Sequence, residues 1–155
     1  GIDKPNIYLD ENVMRMCHTH RRLFSLLAVQ LLEEGKNEQA LKVLDYCEQM
    51  IPDSNVPHNY LSTSLSMAEA YYQLGEPQKG DKIAGGLANN SLEHVTWYLG
   101  MNNQQLMISI NEVHYHLYLL NEYKKIMDKY TSELASIYTD KLNKLNEIYN
   151  ARINE

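Results

Sequence analysis

Twice in its first ninety residues the chain repeats one arrangement: a helix-length stretch holding a small residue, a glycine turn, and a second helix-length stretch holding another small residue. The first copy sets Ala28, Gly35 and Ala40, and the second sets Ala68, Gly75 and Gly80. This constrains the fold more than any other feature. Small residues at facing positions let two antiparallel helices approach closely, and the large residues around them fill the gap to the next pair. A helix pair of this kind cannot bury its apolar face alone, so copies stack.

Read in full, the first copy is Phe24-x2-Leu27-Ala28-x2-Leu31, the turn at Gly35, Ala40-x3-Leu44, small Cys47 and a closing Pro52. The second is Ser64-x2-Met67-Ala68-x2-Tyr71, the turn at Gly75 and Gly80-x3-Ala84. Both resemble the tetratricopeptide pattern. Their turn glycines lie 40 residues apart against a repeat of about 34, and the surplus falls in a loop over Asp53–Asn59. The second copy has no closing proline. Its second helix carries Gly80, Gly85 and Gly86, each costing roughly 1 kcal/mol relative to Ala.

The expected fold is all-α: tetratricopeptide-like antiparallel helix pairs with C-terminal capping helices, as one domain over 1–155. Residues 1–9 form a lead-in. Asp10 caps a helix running to about Glu34, and the next spans about Asn37 to Ile51. Leu61–Leu74 and Pro77–Asn90 form the second pair, together completing two pairs over 10–90. Residues 91–155 supply further helices: one capped by Ser91, a long one over Gln104–Lys129, and a last over Ser132–Arg152. In the first helix Val13, Met16, Cys17, Leu23, Leu27, Leu31 and Leu32 make the apolar set. In the last helix Leu134, Ile137, Tyr138, Leu142, Leu145, Ile148 and Tyr149 form a stripe that must be covered. It predicts an antiparallel hairpin with the preceding helix through Tyr130-Thr131, or else an intermolecular pair.

Net charge is −6, from 14 basic and 20 acidic residues, and no stretch gathers Lys and Arg. Nucleic-acid backbones attract clustered positive charge, so this class of partner is excluded. The longest apolar stretch, Leu23–Leu32, is broken by Ser25 and Gln30 and falls short of the ~20 residues of a membrane span. The polar start, Gly1 to Asp10, is not a secretory leader. Residence outside the cytoplasm would therefore depend on an upstream segment.

Tyr8-Leu9-Asp10-Glu11, Arg15-Met16, Arg21-Arg22, Leu27-Ala28, Glu34-Gly35-Lys36, Leu44-Asp45-Tyr46-Cys47, Pro52, Pro57 and Ala68-Glu69-Ala70-Tyr71-Tyr72 together resemble the C-terminal soluble region of bacterial multi-pass membrane proteins related to protein O-mannosyltransferases. The resemblance covers about residues 5 to 90. It implies a helical tail behind a transmembrane catalytic part of C-type glycosyltransferase character, facing the periplasm. The family's catalytic acidic residues belong to the membrane part and have no counterpart here.

Chemistry-bearing candidates are few. His18-Thr19-His20 and His114-Tyr115-His116 lie within predicted helices, where positions i and i+2 point roughly 200° apart and cannot share an ion; zinc-binding helical pairs use i and i+4. Cys17 and Cys47 are lone thiols, read as small buried hydrophobes. Gly85-Gly86 lacks the Lys and Ser/Thr of a phosphate loop. No cofactor, metal or catalytic residue is assigned. Tyr71, Tyr72, Tyr115, Tyr118, Tyr123 and Trp97 are read chiefly as packing, with a ligand groove as the other option.

In stacked pairs the first helix of each lines the concave face. That face would present Arg22, Ser25, Val29, Leu32 and Glu33 from the first pair, and Ser62, Leu65, Glu69, Tyr72 and Gln73 from the second. Ser25 and Val29 stand where chaperone-tail binders of this class place Lys and Asn, so chaperone tails are excluded. The expectation is a non-catalytic interaction or scaffold domain whose partner is a protein, a peptide or the rest of its own parent chain. Its rivals are a free-standing adaptor and, further off, a small metal-dependent hydrolase.

Overall fold

The computed structural model describes residues 1–4, 7–59 and 63–153. Among them are seven helices and no strand: α1 (Glu11–Glu33), α2 (Asn37–Met50), α3 (Ser64–Gln73), α4 (Pro77–Leu99), α5 (Asn103–Ile108), α6 (Ile110–Lys129) and α7 (Leu134–Ile153). No helix among these residues is long and apolar enough to cross a membrane. The chain divides into two compact units, Gly1–Ala84 and Gly85–Glu155, with the division inside α4.

In the first unit the ends of α1 follow from its sequence. Asp10 Oδ1 accepts from the Asn12 and Val13 amides at 2.8 and 3.0 Å, capping the helix. At the other end Gly35 takes φ +71°. The Lys36 amide then donates to the Leu31 carbonyl at 2.8 Å and the Gly35 amide to Leu32 at 2.9 Å. Gly75 repeats the device at φ +77°, with Glu76 donating to Tyr71 at 2.9 Å and Gly75 to Tyr72 at 3.1 Å. A left-handed residue closes each helix, and glycine adopts it without steric cost.

The small residues lie where helices meet. Ala28, Ala40, Leu44, Cys47 and Ala68 are fully buried. A side chain at Gly80 would come within 2.8 Å of the Tyr72 ring. The apolar set expected in α1 needs correction, however. Its buried stripe is Cys17, Arg21, Ser25 and Ala28, whereas Leu23 and Leu27 are 59% and 47% exposed. The inward face is partly polar because α1 packs against a loop as well as against helices. Arg21, fully buried, donates to the carbonyls of Ile51 at 2.7 Å, Val56 at 2.8 Å and Pro57 at 3.4 Å. These are backbone groups of the long loop that no helix can satisfy. The lead-in is held too: Asn55 Nδ2 donates to the carbonyls of Ile2 and Lys4, and Ile2 and Leu9 pack around Cys17, Ile51 and Val56.

α3 starts at Ser64, later than expected, after Thr63 in a left-handed conformation; Leu61, the expected start, lies outside the described residues. The expected break before Ser91 is absent, and α4 runs unbroken through Gly85 and Gly86. Packing outweighs propensity at this point. A side chain at Gly85 would sit 3.3 Å from Leu134, and the Gly85 carbonyl accepts from the Tyr138 hydroxyl at 2.9 Å. Ser91, expected as a cap, is buried inside α4 with its Oγ 3.2 Å from His116 Nδ1. Conversely, the expected helix over Gln104–Lys129 is two helices meeting at Ser109, the first capped by Asn102.

In the second unit α7 folds back on α6 through a turn with Thr131 at φ +53°. His114 of α6 meets Tyr149 of α7, hydrogen-bonded and ring to ring at 5.7 Å. Ala135, Tyr138, Leu142 and Leu145 are the buried members of the α7 stripe. His94 and His116 stack at 4.4 Å between ring centres and 13° between planes.

Candidate interaction groove

The first unit carries a groove of about 470 Å³ whose walls are α1 and α3. Val29, Leu32 and Glu33 come from α1, Asn37 from the start of α2, and Ser66, Glu69, Ala70 and Gln73 from α3. The two helices run side by side in the same direction, since Ser25 Oγ, past the middle of α1, donates to the Thr63 carbonyl at the start of α3 at 3.3 Å, and Leu32–Glu33 and Gln73 line the groove at the ends of both helices. Both walls are therefore regular helix, held from behind by α2. Val29 and Leu32 give an apolar strip, Glu33 and Glu69 bring two carboxylates, and no Lys or Arg lines the groove.

Of the residues expected to face it, Val29, Leu32, Glu33, Glu69 and Gln73 line the groove. Arg22 is exposed and Leu65 half-buried, and neither is part of the lining. Ser25 is buried, at 1% exposure. Tyr72 is buried under α4, its hydroxyl donating to Asp81 Oδ1 at 2.6 Å. Ser62 lies outside the described residues. Asn37, Ser66 and Ala70 were not foreseen. Ser66, Ala70 and Gln73 fall at i, i+4 and i+7, a single helical stripe, so the periodicity of α3 carried that signal once its start was known.

Beside the groove lies a polar chain that imitates a nucleophilic relay. His58 Nδ1 is 2.8 Å from Ser64 Oγ, and Nε2 is 3.2 Å from Glu48 Oε2. The Nε2–H tautomer satisfies both, with Ser64 donating to Nδ1 and Nε2–H donating to Glu48. The His58 amide donates to Asp53 Oδ1 at 2.9 Å. Ser64 and His58 are buried, at 0% and 5% exposure, so no substrate reaches the hydroxyl. The chain ties α2, the loop and the start of α3 together.

Other reactive groups are similarly withheld. Cys17 and Cys47 are free and buried. Burial pushes the Cys47 thiol up to about 12, and pushes Cys17 up as well, which suppresses the nucleophilic thiolate. His20 donates Nδ1–H to the Met16 carbonyl at 2.7 Å, while His18 Nε2 lies 3.0 Å from Asn59 Nδ2. Among the described residues no three His, Cys, Asp or Glu side chains converge as metal ligands. Tyr71 is buried and donates to Asp45 Oδ1 at 3.0 Å, and Lys79 reaches the same carboxylate at 2.8 Å. Tyr123 is buried, whereas Tyr115, Tyr118 and Trp97 are 42%, 57% and 63% exposed.

No protein-family model, curated protein or solved structure matches the chain.

Proposed function

We propose that this chain is a non-catalytic, tetratricopeptide-like interaction domain whose α1/α3 groove receives a segment of a protein partner or of its own parent chain. One observation carries the reading. The first helices of two similarly closed helix pairs stand side by side and form a groove with an apolar strip and an acidic rim. Rigid helical walls need no reordering on binding, which keeps affinity from being spent on conformational entropy. The resemblance of residues 5 to 90 supports the further proposal that the parent is a membrane protein of C-type glycosyltransferase character, with this domain on its periplasmic face.

The test is site-specific photo-crosslinking in the native cell. A photo-reactive residue replacing Val29 or Gln73 is expected to capture one discrete product, a single partner or a segment of the parent chain. The same residue replacing Arg15, which does not line the groove, is expected to capture none of it. Identical products from all three positions would refute the groove. Hydrophobic spans upstream in the same reading frame are expected, and their absence would leave the free-standing adaptor.

A further inference from the structure

A second surface belongs to the second unit. In the second unit α4 and α7 run parallel: Tyr138 reaches Gly85 and Asn89 near one end, and Arg152 donates to the Met101 carbonyl, just past α4, at the other. Between them lies a trough of about 560 Å³. Leu92 and Leu145 contribute to its lining, Glu93 and Trp97 stand on the α4 side, and Lys144 and Ile148 on the α7 side. Trp97 is 63% exposed and Ile148 51%. An indole left this open beside an exposed isoleucine is a feature of interfaces, where tryptophan is enriched among the residues that dominate affinity.

The charges say what fits there. The α4 wall is acidic at Glu93 and the α7 wall is basic at Lys141 and Lys144, with Lys141 drawn over the Tyr138 ring at 4.9 Å. A trough with one acidic and one basic wall is complementary to itself. Turned about a two-fold axis running along the trough, a second copy lays its α7 over the first copy's α4, and its α4 over the first copy's α7. Each Glu93 then faces the basic wall of the other chain, and each Trp97 enters the other trough. The alternative two-fold, across the trough, sets Glu93 against Glu93 and lysine against lysine. Closed two-fold dimers require this kind of self-complementary patch.

We infer that the α4/α7 trough is the seat of a second copy of this chain, related by a two-fold axis along the trough. The patch is two helical turns long on each wall, ~12 Å. Two side-by-side helices, each about 10 Å across, make it roughly 240 Å² in plan, well below the ~800 Å² per partner of a standard interface, so the dissociation constant is expected at about 10–500 µM.

Sedimentation equilibrium of the full chain from about 5 µM to 1 mM spans that range. A monomer–dimer equilibrium is expected. Trp97→Ala should weaken it at least about tenfold, and Glu93→Lys or Lys144→Glu alone severalfold, with circular dichroism unchanged in all three. An equimolar mixture of Glu93→Lys with Lys144→Glu should associate as the unaltered chain does, since each reversed charge meets its complement. A monomer throughout the range would overturn the inference. So would dimerisation indifferent to Trp97→Ala, or a mixture that fails to recover. Glu93→Lys associating with the unaltered chain more tightly than the unaltered chain does with itself would show the two-fold lying across the trough, where the introduced lysine meets Glu93 of the other copy, and overturn the stated axis.

Discussion

Replacing Arg21 with Leu tests how the first unit holds its long loop. The guanidinium is fully buried and its two short hydrogen bonds, 2.7 Å to the Ile51 carbonyl and 2.8 Å to the Val56 carbonyl, are charge-assisted. Leucine removes both donors and leaves two carbonyls without these partners in a site that water does not reach. An orphaned buried acceptor costs about 1–3 kcal/mol, so the two sum to roughly 2–6 kcal/mol. Against this, a buried guanidinium no longer has to be desolvated, and leucine recovers some packing. The expected net loss is about 3 kcal/mol, a large share of the 5–15 kcal/mol of a typical domain. With a urea slope of about 1.5 kcal/mol per molar, the midpoint should fall by roughly 2 M. Hydrogen exchange adds a local readout: the amides of Asn55 and Val56, which donate to the Pro52 carbonyl at 3.0 Å each, should lose protection before the α1 and α2 amides do. Arg21→Lys, which keeps one charged donor group, should lie between. A midpoint within about 0.3 M of the unaltered chain, together with unchanged exchange over residues 52–56, would refute the claim that Arg21 organises the loop.

Ala40→Leu, at a fully buried contact, should cost about 1–3 kcal/mol by overpacking, read as a lowered melting temperature. Gly86→Ala has open space around it, whereas an added carbon at Gly80 meets the Tyr72 ring at 2.8 Å; the first should raise stability by about 0.5–1 kcal/mol and the second lower it, which thermal melts distinguish. His116 is buried, and burial, then neighbouring His94, holds its imidazole below the usual 6.5. The unfolded chain therefore binds the proton first as pH falls below 6.5, and stability should decline there by up to ~1.4 kcal/mol per pH unit for this group; denaturant midpoints across pH 5–8 should flatten in His116→Phe. With Cys47 pushed up to about 12 and both thiols buried, a disulfide reagent at pH 8 should label neither cysteine until the chain is unfolded.

Helical class, the two glycine turns and the close-contact alanines were legible in the sequence because each rests on local or periodic chemistry. A glycine able to take positive φ ends a helix wherever it stands, and a small residue at a helix-pair contact is needed whichever pair surrounds it. Half of the expected groove residues, Val29, Leu32 and Glu33 on α1 and Glu69 and Gln73 on α3, line the groove, because helical period sets each group on one face of its own helix. What local propensity could not settle was decided by tertiary contact. Gly85 and Gly86 read as a helix end, yet α4 passes through them because Tyr138 and Leu134 close on that point. Leu23 and Leu27 read as core, yet Arg21 and Ser25 take the inward positions because loop carbonyls there require donors. The Glu48–His58–Ser64 chain was invisible for a related reason. Its members lie on α2, the loop and α3, six to sixteen residues apart, and no period links them. Only the folded chain brings their atoms within hydrogen-bonding distance.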